Sequence, residues 1–163
     1  MITMNQKLVR NPAPTMDIHA FRHMHAWILL VGALGLHVID EAATDFLGFY
    51  NPLVHILRVR WAWFPMPTFT FGFWLTGLAV LVLGLVLLAP AVKRNSPGTG
   101  LASWVLSGIM FLNGVGHLGG SLYMRQWLPG ATSAPLLIVA SAILAKRTWD
   151  RSLSASSGTG RAT

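Results

Sequence analysis

The chain has no cysteine, which excludes disulfides and thiolate metal sites and leaves its redox compartment unread. Charge is nearly as scarce: 10% of the 163 residues are charged, against roughly 25% in a soluble domain. Only five residues are acidic, and all but Asp150 precede Tyr50. Apolar residues fill the gap, at 53% of the chain with a mean hydropathy of +0.56. A soluble domain is thereby excluded and an integral membrane protein implied. Several windows reach about 20 apolar residues, the length that crosses roughly 30 Å of hydrocarbon. The length supports a single bundle as the only domain. The net charge of +7 could be read as nucleic-acid binding. The basic residues flank apolar spans instead of forming a patch, so topology accounts for them and no nucleic-acid partner is expected.

Four spans can be read along the chain, at about 26–46, 69–92, 101–123 and 131–145. Residues 1–25 form a polar to amphipathic segment carrying Lys7, Arg10, Arg22, Pro12 and Pro14. This segment is long for a signal peptide. Acidic residues also stand where small cleavage-site residues belong, so an uncleaved first span is expected. The connection 48–68 holds Asn51-Pro52, His55, Arg58, Arg60, Trp61 and Trp63, a composition suited to a short segment at the membrane interface. Asn95 to Gly100 is a turn cluster, and Trp127-Leu-Pro-Gly130 makes the next turn, with Pro129 placed to open a helix. Residues 148–163 form a polar tail, expected to be disordered and cytoplasmic.

Four spans put both termini on one side. That side carries nine Lys and Arg residues (Lys7, Arg10, Arg22, Lys93, Arg94, Lys146, Arg147, Arg151, Arg161) against three on the other (Arg58, Arg60, Arg125). The excess marks the cytoplasmic face, so the expectation is an all-α, multi-pass four-helix bundle in the cell membrane with both termini inside. Trp27, Trp104 and Trp149 then fall near the inner boundary. Tyr50, Trp61, Trp63, Tyr123 and Trp127 fall near the outer one.

Within the first span sits His37-Val-Ile-Asp40-Glu41, followed by Thr44 and Asp45. A charge at bilayer depth costs a few kcal/mol on insertion scales, so it normally has a partner or a task. Helical spacing places His37, Asp40, Glu41, Thr44 and Asp45 on one face. In the third span Asn113 and His117 are also four apart, beside Gly116-x-x-x-Gly120. At 1.5 Å per residue, His37 and Asn113 both lie roughly 14–15 Å from the outer ends of their spans. Glu41 and His117 lie roughly 8–9 Å from those ends. Two polar faces are therefore expected to meet at matching depth in the outer half of the bundle.

Imidazole nitrogen with carboxylate oxygen suits Zn, Fe or Mn. A di-metal bundle uses about four carboxylates, more than this cluster supplies, so a single divalent metal is the expected metal reading. His37, Glu41 and His117 are the candidate ligands. The same three are candidate acid and base groups in a metal-free site. Asp40, Asn113, Asp45 and Arg125 are candidates for binding or supporting roles, Arg125 through a pair with Asp45. A self-satisfied polar network that locks span one to span three stays open as an alternative. A proton pathway fits less well, because the inner halves of the second and fourth spans hold almost no polar residues.

A second group, His19, His23 and His25 with Asp17, faintly resembles the histidine boxes of membrane di-iron enzymes. Those need further histidines on the same side, and the cytoplasmic loops have none. Interfacial histidines beside Arg22 are the simpler expectation. His55 is a candidate lid residue or a solvated loop histidine. The run Phe69, Phe71, Phe73 and Trp74 is expected to pack and anchor span two.

His37-Val-Ile-Asp40-Glu41 resembles the HxxEE motif of the HXXEE-domain membrane proteins. Asn113-Gly-Val-Gly-His117 is similar to that family's N-x-x-x-H segment, and Arg125-Gln-Trp-Leu-Pro129-Gly130 to the R-x-x-x-P-G that follows it. The likeness runs from about Trp27 to Ala145, and Asp40 departs from it where the family has Glu. The resemblance implies a small, bacterial-type helical membrane family without an established activity, and it carries over His37, Asp40, Glu41, Asn113, His117 and Arg125. The expected function is a buried His/carboxylate site acting on a lipid-like substrate. Membrane sterol isomerases with His and Glu inside a bundle are an analogy only. The competing class is a non-enzymatic protein whose cluster fixes helix packing, or a homo-oligomer formed through Gly116 and Gly120.

Overall fold

The computed structural model describes residues 18–159, with side chains described through Ser154. Lys7, Arg10, Asp17 and Arg161, with the rest of 1–17 and 160–163, lie outside the described residues. Within them the chain is all-helical: α1 (Ile18–Ala43), α2 (Phe46–Arg60), α3 (Phe71–Leu87), α4 (Ala89–Lys93), α5 (Thr99–Met124) and α6 (Ala134–Thr159).

Among the described residues, three helical stretches are long and apolar enough to cross a membrane: Ile18–Ala43, Phe71–Lys93 and Thr99–Met124. The second is the clearest. It is apolar around its whole circumference, yet α3 buries only Trp74 and Leu85 and leaves Val80, Leu83 and Leu87 exposed. In water such a surface would have to be covered, whereas in hydrocarbon it is already solvated.

The last helix is the packing centre. Both α1 and α5 pack mainly on α6 and touch each other only sparingly. Small residues allow this. Ala131, Ala134, Ala140 and Ser141 are buried beside Leu137 and Leu144. A side chain on Gly114 would stand 2.7 Å from Ile138 and 3.0 Å from the Ala134 carbonyl, so the α5–α6 approach requires glycine there. The expectation that span one packs directly on span three is therefore modified: the region read as the shortest span lies between them.

Three boundaries differ from the sequence reading. The first helix ends at Ala43, because Asp45 adopts the left-handed conformation (φ 57°) and its carboxylate caps α2 by accepting from the Gly48 N–H. The connection 48–68 is largely the helix α2. Asn51 fastens it to the following loop, donating to the Phe69 carbonyl and accepting from the Phe69 N–H. The polar tail expected to be disordered from residue 148 is helical through Thr159. Lys146 and Arg147 both pair with Asp150 one turn on, and Thr148 is buried against α1, so this stretch has local and tertiary reasons to stay helical.

Trp27 turns into the protein and not outward. It is 1% exposed and donates its indole N–H to the Leu85 carbonyl at 2.9 Å. The break between α3 and α4 at Leu88, two residues before Pro90, loosens the local ladder and leaves that carbonyl available. Trp104 and Trp149 stay exposed and meet edge to face, with centroids 6.4 Å apart.

Candidate metal site

Near the C-terminal end of α1, His37 and Glu41 occupy one face a turn apart and are both buried, at 1% and 5% exposure. Across from them, α5 presents His117. Its Nε2 lies 3.1 Å from Glu41 Oε1, and His37 Nε2 lies 3.6 Å from the same oxygen. The two imidazoles meet edge to face at 4.8 Å between centroids. One ligand atom from each residue falls within 4.8 Å of the other two, and this is the one such His/acid triad among the described residues. The predicted meeting of Glu41 and His117 is thus present in the fold.

The remaining ring nitrogens fix what the cluster offers. His117 Nδ1 lies 2.6 Å from the Pro129 carbonyl, which can only accept, so Nδ1 carries the proton. His37 Nδ1 lies 2.7 Å from Ser133 Oγ. The Ser133 hydroxyl has one proton, and the Asp40 carboxylate at 2.8 Å takes it. His37 Nδ1–H therefore donates to Ser133 Oγ. Both Nε2 atoms are left facing Glu41 Oε1, where either a proton or a metal ion can bridge nitrogen and oxygen. His37 Nε2 has no hydrogen-bond partner although it is buried. Asn113 adjoins the His37 ring, within hydrogen-bonding reach of it, and its Oδ1 is buried.

Buried acceptors that face one another without a shared proton repel, and such groups are almost always satisfied. The Glu41 carboxylate and the two facing nitrogens are satisfied by a shared proton or by a bound cation. A divalent cation fits the cluster, since neutral His Nε2 and carboxylate oxygen are ligand atoms for Zn, Fe or Mn. The Nδ1 contacts to a backbone carbonyl and to a Ser–Asp relay are the outer partners that ligating histidines characteristically have.

The turn between α5 and α6 completes the site. Gly130 has φ 80°, and a Cβ there would stand 2.8 Å from His117 Cε1 and 3.0 Å from Glu41 Cγ. Only glycine lets the backbone close over the cluster at this point. Three residues on, Ser133 directs its own N–H to Asp40 Oδ2 at 2.9 Å. Asp40 thereby caps the N-terminal end of α6, where the helix dipole favours an anion. Ser133, the Pro129 carbonyl and Gly130 are absent from the sequence-based site. The pattern Pro-Gly-x-x-Ser ahead of an apolar run signals a helix start but carries no hint of a ligand shell.

Other expected site residues fall elsewhere. Asp45 is a helix cap, and Arg125 ends α5 in the left-handed conformation with an exposed side chain; no ion pair joins them among the described residues. His55 is exposed on α2. Gly116 is open, whereas Gly120 lies under Leu128 of the same chain. The histidines of the N-terminal group diverge. His25 Nδ1–H donates to the Phe21 carbonyl on the exposed surface. His23 is fully buried between Thr148, 3.2 Å from Nε2, and Arg151, 2.6 Å from Nδ1. The aromatic run expected to pack and anchor span two stacks on itself and also continues toward the site. Phe46 stacks on Trp74 at 5.8 Å and lies 5.9 Å from the His117 ring.

No curated protein and no solved structure matches the chain. The profile of the family described as proteins of unknown function with an HXXEE motif matches residues 23–145, a stretch that runs from the first turns of α1 into the first half of α6 and includes every residue of the triad and its outer partners. The chain belongs to the HXXEE family.

Proposed function

We propose that this protein is a multi-pass membrane protein, with α6 as a fourth span and both termini cytoplasmic, whose His37–Glu41–His117 cluster binds one divalent metal and acts on a lipid-phase substrate. The observation that carries the reading is the convergence of two Nε2 atoms on one Glu41 oxygen, with each Nδ1 engaged by an outer partner, which leaves both Nε2 atoms available as ligands. Two histidines and one glutamate make a three-ligand set, the number that catalytic zinc sites use while keeping a position for water or substrate; structural sites close with four.

The residues divide the work. His37, Glu41 and His117 hold the ion, which when bound supplies an activated water or a polarised oxygen. Asp40, through Ser133, orients His37, and the Pro129 carbonyl orients His117. Asn113 Oδ1 is placed to accept a hydrogen bond from a water or substrate hydroxyl beside His37. His117 is the most exposed of the three ligands, so a substrate approaches from its side, past Phe46 and Trp74. The aromatic approach and the apolar flanks favour an amphiphile over a polar solute.

A second reading has its own support. The bonds from Asp40 to Ser133 and from His117 to Pro129 tie α1 and α5 to the α5–α6 turn, as a purely structural lock would. Elemental analysis of detergent-purified protein, paired with thermal melts with and without a chelator, separates the two. The metal reading expects near-stoichiometric Zn, Fe or Mn, lost in His117→Ala, and a chelator that lowers the melting point of the wild type alone. A metal-free wild type, insensitive to chelator but strongly destabilised by His117→Ala, overturns it in favour of the lock.

A further inference from the structure

At the end of the bundle remote from the metal site, α1 and α6 enclose a cleft of about 270 Å³. Arg22 and His25 line it from α1, Arg147 from α6, and Leu29 and Ile143 continue it downward. Fifteen residues of α1 separate Arg22 from His37, about 22 Å along the axis, so this cleft and the metal site belong to opposite ends of the bundle.

Its chemistry is that of an amphiphile receptor. The head of the cleft is cationic. Among the described residues Arg22 has no ion-pair partner, and Asp150 is shared between Arg147 and Lys146. His25 commits Nδ1 to the Phe21 carbonyl and leaves Nε2 for a ligand. Below the head, Leu29 and Leu36 follow Arg22 at seven-residue steps on α1, while Ile143 and Leu136 precede Arg147 on one face of α6. All four are exposed. The apolar track from Arg22 to Leu36 is about 21 Å long. That is enough to accompany an acyl chain through its half of a hydrocarbon core roughly 30 Å thick.

We infer that this cleft is a binding site for an anionic glycerophospholipid, its phosphate held between Arg22 and Arg147 and one acyl chain lying along Leu29, Ile143 and Leu36. Two guanidinium forks on adjacent helices match the oxygen geometry of a phosphate better than ammonium groups would. The uncompensated positive charge selects a net-negative headgroup over a zwitterionic one. The site depends on the membrane reading and not on the metal, so either can fail alone.

The test uses the full-length protein in detergent, with thermal melts and native mass spectrometry in the presence of phosphatidylglycerol, phosphatidylcholine or inorganic phosphate. Phosphatidylglycerol should raise the melting point and remain bound. Phosphatidylcholine should do so weakly, and inorganic phosphate not at all. A basic residue beside an anionic lipid surface accounts for about fivefold in binding, so the Arg22→Gln/Arg147→Gln double variant should lose roughly 25-fold of the preference. The Arg22→Lys/Arg147→Lys variant should keep part of it. A lipid-free melting point close to that of the wild type in both variants reports that the bundle is intact. Equal stabilisation by the two lipids overturns the proposal, as does reproduction of the effect by phosphate alone. A preference that survives in the double Gln variant also overturns it.

Discussion

His117 stands with Nε2 3.1 Å from Glu41 Oε1 and Nδ1 2.6 Å from the Pro129 carbonyl, so the ring is held between an acid on α1 and the backbone of the α5–α6 turn. The carbonyl requires the proton on Nδ1 and leaves Nε2 to face the acid. His37 repeats the arrangement, with the Ser133–Asp40 relay in place of the carbonyl. In both rings the partner on the far nitrogen fixes the Nδ1 proton and the orientation of the ring.

The Glu41→Gln variant tests the acid. Its shape is conserved, but the amide supplies no charge to a cation and only a weak ligand oxygen. Metal content should fall from near one per chain to background, with helical content by circular dichroism unchanged. Retention of full occupancy in Glu41→Gln would mean that the carboxylate is not a ligand.

The Ser133→Ala variant tests the relay. The first ligands are untouched, but His37 Nδ1–H loses its acceptor and the ring is free to adopt the other tautomer. Loss of such an outer partner typically weakens metal binding about 10–100-fold. Competition against a chromophoric chelator measures this directly. Asp40→Asn should weaken binding in the same direction, because its amide accepts more weakly from the Ser133 hydroxyl.

Much of this site was legible in the sequence because it rests on residue types that are costly in hydrocarbon. His37 and Glu41 lie one turn apart in an apolar helix, and Asn113 and His117 repeat that spacing at the same depth. The contributions of Pro129 and Gly130 come from the backbone, a carbonyl and a missing Cβ, which no residue-type pattern expresses. Ser133 reads as an ordinary helix start. The central place of α6 was hidden for a related reason: its contacts depend on the smallness of Ala134, Ala140 and Gly114, whereas hydropathy weighs only its short apolar length. Asp45 was misplaced by extending the helical face of α1 past Ala43, where its left-handed backbone ends the helix.

Gly130→Ala compared with Gly98→Ala separates backbone strain from intrusion on the site. Both glycines are left-handed, at φ 80° and φ 83°, so each substitution costs about 1–2 kcal/mol of backbone energy. A Cβ at position 98 meets nothing within 4 Å, while one at 130 meets His117 and Glu41 at 3.0 Å or less. Both variants should melt lower, but only Gly130→Ala should lose metal. Equal metal content in the two would show that the turn does not bear on the ligands.

Acidification should release the metal. Protons compete with a metal ion for Nε2 of His37 and of His117, so affinity should rise with pH. Up to about two protons are taken up per ion released. Metal occupancy after equilibration across pH 5–8 checks the sign, and His37→Ala, with one competing imidazole fewer, should show a shallower dependence.

Thr148→Val probes the opposite end of the bundle. The Thr148 hydroxyl donates to the Leu144 carbonyl at 2.8 Å, so it accepts from His23 Nε2, and His23 Nδ1 is left to accept from Arg151. Valine keeps the shape and leaves the buried His23 N–H without an acceptor, a loss of about 1–3 kcal/mol. Metal content should not change, because His23 and the triad occupy opposite ends of α1. Combined with Ser133→Ala, the loss of stability in metal-free protein should add to within about 0.5 kcal/mol, as separated sites do. A larger coupling would mean that α6 transmits strain along its length and that the two ends act as one unit.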